Sequence, residues 1–201
     1  MSNASFSVPM PKNEHVYNYA STCQEAADLS NELKRQTSQT VELPLIIGGK
    51  EVRTGITGEI RSPHNHKVLL ATYHKADKKT VDMAIEAAMK ARKTWAHMPW
   101  QARAAIFLKA ADLLATKYRQ VLNAATMLGQ SKNLYQAEID SACELIDFFR
   151  FNVYFMHQIY SVQPECNHVQ TWNRLEYRPL EGFVFALTPF NFTAIGGNLP
   201  T

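Results

Sequence analysis

The chain has 201 residues, and 46% of them are apolar, a proportion that is ordinary for a globular protein and excludes a disordered one. Its 21 Lys and Arg residues against 18 Asp and Glu give a formal net charge of +3, and the basic residues are scattered, so we expect no nucleic-acid partner. No apolar run approaches the roughly 18 to 20 residues of a membrane helix, so we expect no membrane partner either.

Residues 1–42 are mostly polar, and we predict an amino-terminal arm that contains a helix from about Ser21 to Arg35. The pattern changes at residue 43, which begins the second predicted region, 43–201. Within it, 45–52 predicts a strand, a turn at Gly48-Gly49 and a second strand. Two further short strands are predicted at 58–62 and 68–73.

Three helices are predicted next, because apolar residues then recur at the helical period. In chain order they span 77–95 with Asp77 as the N-cap, 99–128 with a stop at Gly129, and 135–159. Beyond them, 172–177 predicts an exposed strand. The continuous apolar run 183–187 predicts a strand that helices cover on both faces, as in a parallel sheet. The predicted fold class is therefore α/β.

The segment after this strand is the candidate site. In parallel α/β sheets, ligands bind beyond the carboxyl ends of the strands. Asn191 lies in a turn that also contains Pro189, and we expect Thr193 to cap a helix that follows. The side-chain amide of Asn191 is suited to stabilise a developing oxyanion. From the local pattern alone, the alternative is that Asn191 bonds the turn backbone and the two neighbouring phenylalanines belong to the core. Gly196-Gly197 is no dinucleotide fingerprint and indicates close helix packing.

Two stretches resemble the aldehyde dehydrogenase superfamily, and within it the branch that oxidises glutamate semialdehyde in proline breakdown. They read Thr188-Pro189-Phe190-Asn191-Phe192-Thr193-Ala194-Ile195-Gly196-Gly197-Asn198, and Gln136-Ala137-Glu138-Ile139-Asp140 leading into Glu144-Leu145-Ile146-Asp147-Phe148-Phe149-Arg150. The resemblance covers roughly 43–201. It implies the amino-terminal part of an aldehyde dehydrogenase fold, with an incomplete Rossmann-like NAD-binding domain.

The resemblance also implies roles for single residues. Asn191 matches the side chain that stabilises the oxyanion. Thr188, Pro189 and Phe190 match the crevice that binds NAD, and Glu144 and Phe192 match the aldehyde pocket. From spacing alone, Glu144 is instead a solvated helix residue, while Asp147 and Arg150 pair on the helix surface. The cysteines and histidines have no ligand spacing, so we expect no metal site.

The implied activity is the NAD-dependent oxidation of L-glutamate γ-semialdehyde to L-glutamate. The resemblance also implies that the full-length protein is a homo-oligomer and that it works in the mitochondrial matrix, although no presequence is recognisable. Similar enzymes carry their nucleophilic Cys and general base Glu after the Asn motif. Cys143 lies on an apolar helix face, and Cys23 and Cys166 lack an activating neighbour, so we expect the chain by itself to be inactive. The alternatives are a dehydrogenase for another aldehyde, and a non-catalytic short form that binds full-length subunits.

Overall fold

A computed structural model describes residues 7–198, and its elements follow one another in a simple order. The amino-terminal helix α1 (Gln24–Ser38) precedes five strands, which are β1 (Val41–Leu43), β2 (Leu45–Ile47), β3 (Lys50–Val52), β4 (Thr57–Ser62) and β5 (Asn65–His74). The helices that follow are α2 (Lys78–Trp95), α3 (Trp100–Ala115), α4 (Arg119–Gln130), α5 (Leu134–Ala137), a π-helical turn (Glu138–Cys143), α6 (Glu144–Ser161) and a 3-10 turn (Ile195–Asn198).

The strands form two small sheets. β2 and β3 make an antiparallel hairpin whose turn residues Gly48 and Gly49 take φ values of +58° and +76°, a conformation that favours glycine. This hairpin confirms the prediction for 45–52. The other sheet has the order β1-β5-β4, with β1 parallel and β4 antiparallel to β5, so the predicted strands 58–62 and 68–73 are confirmed as its longer members.

Helix α2 begins as predicted, because Asp77 forms a capping box with Thr80. The Asp77 carboxylate accepts from the Thr80 backbone N–H at 2.8 Å, and the Asp77 N–H donates to Thr80 Oγ1 at 2.8 Å. The apolar side of α2 stays largely exposed, and Thr80 is the only buried residue that the helix contributes among those described. Its start is therefore fixed by local capping rather than by core packing.

The prediction of one helix over 99–128 was wrong. The helix is interrupted at Thr116, whose φ of −115° and ψ of −86° lie outside the helical region, and α4 restarts at Arg119. The interruption lets α4 direct Arg119 inward, where its side chain is buried. The predicted stop at Gly129 was also wrong, since α4 continues through Gln130 and is capped by Ser131, which takes the left-handed conformation with φ of +55°.

The third predicted helix, 135–159, is confirmed as the continuous helical stretch α5, π-helical turn and α6. Asn133 caps α5 by accepting from the Gln136 backbone N–H at 2.9 Å, and the Gln136 side chain accepts from the Asn133 N–H at 3.0 Å. The π-helical turn directs Glu138 and Ser141 into the interior, where both are buried. Such turns often occur at functional sites.

Replacing Asn133 with Ala is expected to lower the free energy of unfolding by about 1 kcal/mol, the typical value of an N-cap side chain. Asn133→Asp keeps an acceptor for the Gln136 N–H and should have a much smaller effect. The two variants can be compared by urea denaturation. Equal losses in both would contradict a capping role.

The core has two apolar clusters. Tyr19, Leu29 and Ala124 join the amino-terminal segment, α1 and α4, whereas Ala111, Ala142 and Ile146 join α3 to the π-helical turn and α6. None of the helices among residues 7–198 is long and apolar enough to cross a membrane. The second cluster includes Ile146 of α6, the helix that carries Glu144.

The prediction of a buried strand at 183–187 was wrong. This segment belongs to no ladder in the structure, and its side chains are exposed, with Phe185 80% and Leu187 85% accessible. The segment 172–177 is exposed as predicted but is not a strand either. A strand needs a neighbour for its backbone hydrogen bonds, and none of the five described strands lies beside these segments.

Candidate functional site

A buried polar network surrounds Glu138 under the candidate site. Its carboxylate accepts from the Tyr19 hydroxyl at 2.7 Å, the Asn123 amide at 2.7 Å and the Tyr17 backbone N–H at 3.0 Å, and it pairs with the guanidinium of Arg119. Ser141 adds a bond to Asn123 at 3.0 Å. Buried charge costs free energy unless it is paired and hydrogen-bonded, and here every partner is supplied by the fold.

The charges within this network shift one another's ionisation. Burial by itself would raise the pKa of Glu138, but the hydrogen bonds from Arg119, Tyr17, Tyr19 and Asn123 outweigh it and hold the pKa below its usual range. The Tyr19 pKa is raised by burial and by its bond to Glu138. Glu138 therefore stays a carboxylate at neutral pH, and Tyr19 stays a phenol that donates to it.

The amino-terminal segment 13–19 lies across this network as a strap. Glu14 pairs with Arg119 at 2.7 Å and with Arg150, while its own backbone N–H donates to Asp147 at 2.7 Å. Asn13 donates to the other Asp147 oxygen at 2.8 Å. The predicted surface pair between Asp147 and Arg150 was therefore wrong, because both residues bind the strap instead.

Glu144 is the first residue of α6 and lines a cleft of about 390 Å³. The other lining residues are three polar ones and three aromatic ones, namely Asn13, Asp147 and Asn152 with Phe148, Phe151 and Phe155. Burial raises the pKa of Glu144, and the nearby carboxylates of Asp140 and Asp147 raise it further, against the opposing charge of Lys132. The residue is half-buried, so the structure does not favour a fully solvated helix position.

Cys143 precedes Glu144 and is buried. Burial and the neighbouring charge of Glu138 raise the pKa of its thiol to about 12. A thiol of this kind carries almost no thiolate at neutral pH and is a poor nucleophile. Cys23 is half-buried and Cys166 exposed, and all three cysteines are free.

The turn that carries Asn191 folds back on itself at the carboxyl-terminal end of the described chain. Thr188 and Pro189 pack on Gly196, where an added Cβ would lie 3.2 Å from Thr188 Cβ. Phe190 is 97% exposed and Asn191 is exposed, so the alternative that both phenylalanines of the motif are core residues was wrong for Phe190. The predicted helix start takes the form of the 3-10 turn Ile195–Asn198.

The end of α4 holds this turn in place. With its side-chain amide oriented so that donors meet acceptors, Gln130 accepts from the backbone N–H groups of Phe192 and Thr193 at 3.1 and 3.0 Å and donates to the Asn191 carbonyl at 3.0 Å. Lys132 places its ammonium 4.2 Å from the centre of the Phe192 ring. The turn backbone is thus bonded by Gln130 rather than by the side chain of Asn191.

Lys132 also connects the two residues predicted for the aldehyde pocket. Its ammonium pairs with Asp140 at 2.7 Å, and both charges act on the Glu144 carboxyl. Glu144 and Phe192 therefore share one neighbour, whereas the structure leaves Thr188, Pro189 and Phe190 on the outside of the turn. The predicted roles of all six residues stay predictions. The sequence pattern had no signal for Gln130 or Lys132, because both follow an ordinary polar helix end.

Within the part of the chain that the structure describes, no group of His, Cys, Asp and Glu residues could hold a metal ion. The groups that the site presents are the exposed amide of Asn191 and the half-buried carboxyl of Glu144, whose pKa is raised.

A profile of the aldehyde dehydrogenase family matches residues 52–196, which is more than half of the chain. The chain therefore belongs to the aldehyde dehydrogenase family. This membership confirms the resemblance found in the sequence.

Relatives and solved structures agree with this assignment. The delta-1-pyrroline-5-carboxylate dehydrogenase of Agaricus bisporus is 52% identical over 198 residues, and the mitochondrial one of Emericella nidulans is 50% identical over 197 residues, each covering 98% of this chain. A crystal structure of the Delta-pyrroline-5-carboxylate dehydrogenase from Mycobacterium tuberculosis bound with NAD superposes with a TM-score of 0.95 at 49% identity over 99% of this chain.

The chain spans only about a third of the length of these family members, 36% and 34% of the two relatives and 37% of the solved chain. Over that part, the superposition confirms the predicted fold class, an incomplete α/β aldehyde dehydrogenase fold.

Proposed function

We propose that the protein that carries this sequence oxidises L-glutamate γ-semialdehyde, the open form of Δ1-pyrroline-5-carboxylate, to L-glutamate with NAD, as a step of proline degradation. The observation that carries the proposal is the identity of 49 to 52% over 98 to 99% of the chain with proteins of that name. The matched region includes both the turn with Asn191 and the helix with Glu144.

Asn191 is proposed to stabilise the oxyanion that develops when the aldehyde carbonyl is attacked. Its exposed side chain is available to a ligand, because Gln130 bonds the turn backbone in its place. A donor held in position before the reaction needs no reorganisation as negative charge develops on the oxygen.

Thr188, Pro189 and Phe190 are proposed to hold the nicotinamide of NAD. Gly196 lets Thr188 and Pro189 pack closely from beneath, so the outer side of the turn stays open, with Phe190 accessible to a flat ring. These residues therefore fit the cofactor, which when bound accepts a hydride from the aldehyde carbon.

Glu144 and Phe192 are proposed to contact the aldehyde substrate. Glutamate semialdehyde carries an ammonium group, and the carboxylate of Glu144 offers the opposite charge in a cleft that three phenylalanines also line. Lys132, whose charge acts on the Glu144 carboxyl, lies against the ring of Phe192. Charge selects the amino-acid end of the substrate, while apolar side chains exclude water.

We propose none of the three cysteines as the nucleophile that attacks the aldehyde. The thiol pKa of about 12 makes Cys143 unreactive, and neither Cys23 nor Cys166 has an activating group that we can identify. We therefore expect a purified chain of these 201 residues to form no NADH with glutamate semialdehyde. NADH formation by that chain would overturn this part of the proposal.

The test is an assay of the native protein, isolated from its source with an antibody against residues 80–160. Absorbance of NADH is followed with glutamate semialdehyde and, in parallel, with simple aldehydes that lack the amino-acid end. Preference for a simple aldehyde would favour a dehydrogenase with another substrate. A stable native species of only about 200 residues without activity would favour a non-catalytic short form that binds full-length subunits.

Replacing Glu144 with Gln in the native protein is expected to raise KM for glutamate semialdehyde roughly tenfold, with a smaller change in kcat, because charge attraction to the ammonium is lost. The raised pKa of Glu144 adds a pH signature. As pH falls through that pKa, the carboxylate is protonated and KM of the unmodified protein should rise, while KM of Glu144→Gln stays flat.

Glu86→Gln is the matched control, since Glu86 lies exposed on α2. It should leave KM and its pH dependence unchanged. Equal pH profiles for the unmodified protein and Glu144→Gln would contradict the role of Glu144.

The remaining features stay proposals. Mitochondrial location is supported by the names of relatives such as that of Emericella nidulans, and the matrix is the compartment that we propose. A homo-oligomer and the division into an arm, 1–42, and a dehydrogenase region, 43–201, are proposed as well. Gel filtration of the native protein tests the first of these, and limited proteolysis near residue 42 tests the second.

A further inference from the structure

Gln130 is the last residue of α4, and its side chain reaches across to the turn that carries Asn191. One side-chain amide makes three hydrogen bonds there, to the Asn191 carbonyl and to the N–H groups of Phe192 and Thr193, all between 3.0 and 3.1 Å. Three bonds to three consecutive residues constrain the backbone of the turn far more than a single contact would. The direction of the Asn191 side chain follows from that backbone.

The helix behind Gln130 is itself firmly held. Arg119 and Asn123 on α4 are buried and bonded to Glu138, and Thr126 on the next turn is fully buried. The left-handed conformation of Ser131 then ends the helix directly after Gln130. The glutamine therefore projects from a rigid support onto a turn that has apolar, exposed neighbours on its other side.

We infer that Gln130 is a positioning residue for the oxyanion donor Asn191. This inference rests on the proposed function, because the role of Asn191 does. In this role Gln130 acts through the backbone of the turn and not on the substrate or the cofactor. It keeps the backbone of 191–193 in the one arrangement that aims the Asn191 amide, and displacement of a reacting group by about 1 Å can cost on the order of 100-fold in rate.

The kinetic test uses Gln130→Ala and Gln130→Met in the native protein, the second keeping most of the side-chain volume. Both are expected to lower kcat roughly 10- to 100-fold, with KM for glutamate semialdehyde changed by less than about twofold. Gln130→Glu keeps an acceptor for the two N–H groups and loses the donor to the Asn191 carbonyl, so it should recover part of the lost kcat.

A double variant tests whether Gln130 acts through Asn191. In an Asn191→Ala background, Gln130→Ala should lower kcat by less than about twofold further, because the group that it positions is already gone. Losses that multiply in the double variant, or a change confined to KM, would overturn the inference.

The matched control is Gln163→Ala. Gln163 braces the segment 172–177 in a similar way, accepting from the Leu175 N–H at 2.9 Å and donating to the Leu175 carbonyl at 3.0 Å, but it lies outside the proposed site. Its replacement should leave kcat and KM unchanged.

Hydrogen exchange separates failure of this inference from failure of the proposed function. The amides of Phe192 and Thr193 are expected to exchange roughly tenfold faster in Gln130→Ala, since each loses its acceptor. If the unmodified protein fails to oxidise glutamate semialdehyde, the proposed substrate is wrong. Unchanged exchange at these two amides would overturn the inference about Gln130 whatever the substrate.

Discussion

Replacing Asn191 with Ala in the native protein is expected to lower kcat for glutamate semialdehyde by about 10²- to 10³-fold, the usual effect of removing one oxyanion donor. The amide of Asn191 is exposed on a turn whose backbone Gln130 already bonds, so the substitution removes a donor without dismantling the turn. KM should change little, because the donor acts mainly on charge that develops during the reaction. Steady-state kinetics of NADH formation measure both quantities.

Asn65→Ala serves as the control for Asn191→Ala. Asn65 is the exposed first residue of β5, and its side chain accepts from the Lys67 backbone N–H at 3.3 Å. Its replacement should leave kcat unchanged. If Asn191→Ala kept the activity of the unmodified protein, the role of the turn as an oxyanion site would be wrong.

Replacing Glu138 with Ala is expected to lower the free energy of unfolding by about 3 to 5 kcal/mol, since it leaves a buried guanidinium with only part of its countercharge. Arg119 is 1% exposed, and among its anionic partners only Glu14 would remain. Native-state hydrogen exchange in α4 and α6 measures the loss. Glu59→Ala, which breaks an exposed pair with Arg61, should lose only a small fraction of this.

The pair between Glu138 and Arg119 also predicts how the stability of the protein depends on pH. The folded-state pKa of Glu138 lies below its unfolded value, so its contribution is fully present above the unfolded pKa of about 4.3 and disappears as pH falls through the folded value. Glu138→Gln carries no such charge and should show a flatter loss of stability on acidification below about pH 4.3. Parallel acid-unfolding curves for the two proteins would contradict the pairing.

Local signals in the sequence predicted the elements that depend on local causes. The hairpin around Gly48-Gly49 follows from turn chemistry, and the start of α2 follows from Asp77. The break at Thr116 was missed, because it depends on burying Arg119 against Glu14, 105 positions earlier. The strand expected at 183–187 failed for a related reason, since its apolar composition is local but the neighbour that a strand requires is not.

The residues of the candidate site also include some that the sequence predicted and some that it did not. Asn191, Phe192 and Glu144 were found because their motifs resemble a family, and the structure links two of them through Lys132. Gln130 and Lys132 were not found. Nothing in their own neighbourhood of the sequence distinguishes them from a polar helix end, and their importance comes only from the turn 60 positions later that they contact.

The strap, 13–19, has a consequence for the order of folding. The residues that receive it, Arg119, Glu138 and Asp147, lie 105 to 134 positions later in the chain. Closing loops of this length costs conformational entropy, which is offset only when the contacts at their ends can form. Those contacts exist only once α4, the π-helical turn and α6 have packed together, so we expect the strap to dock as one of the last steps of folding.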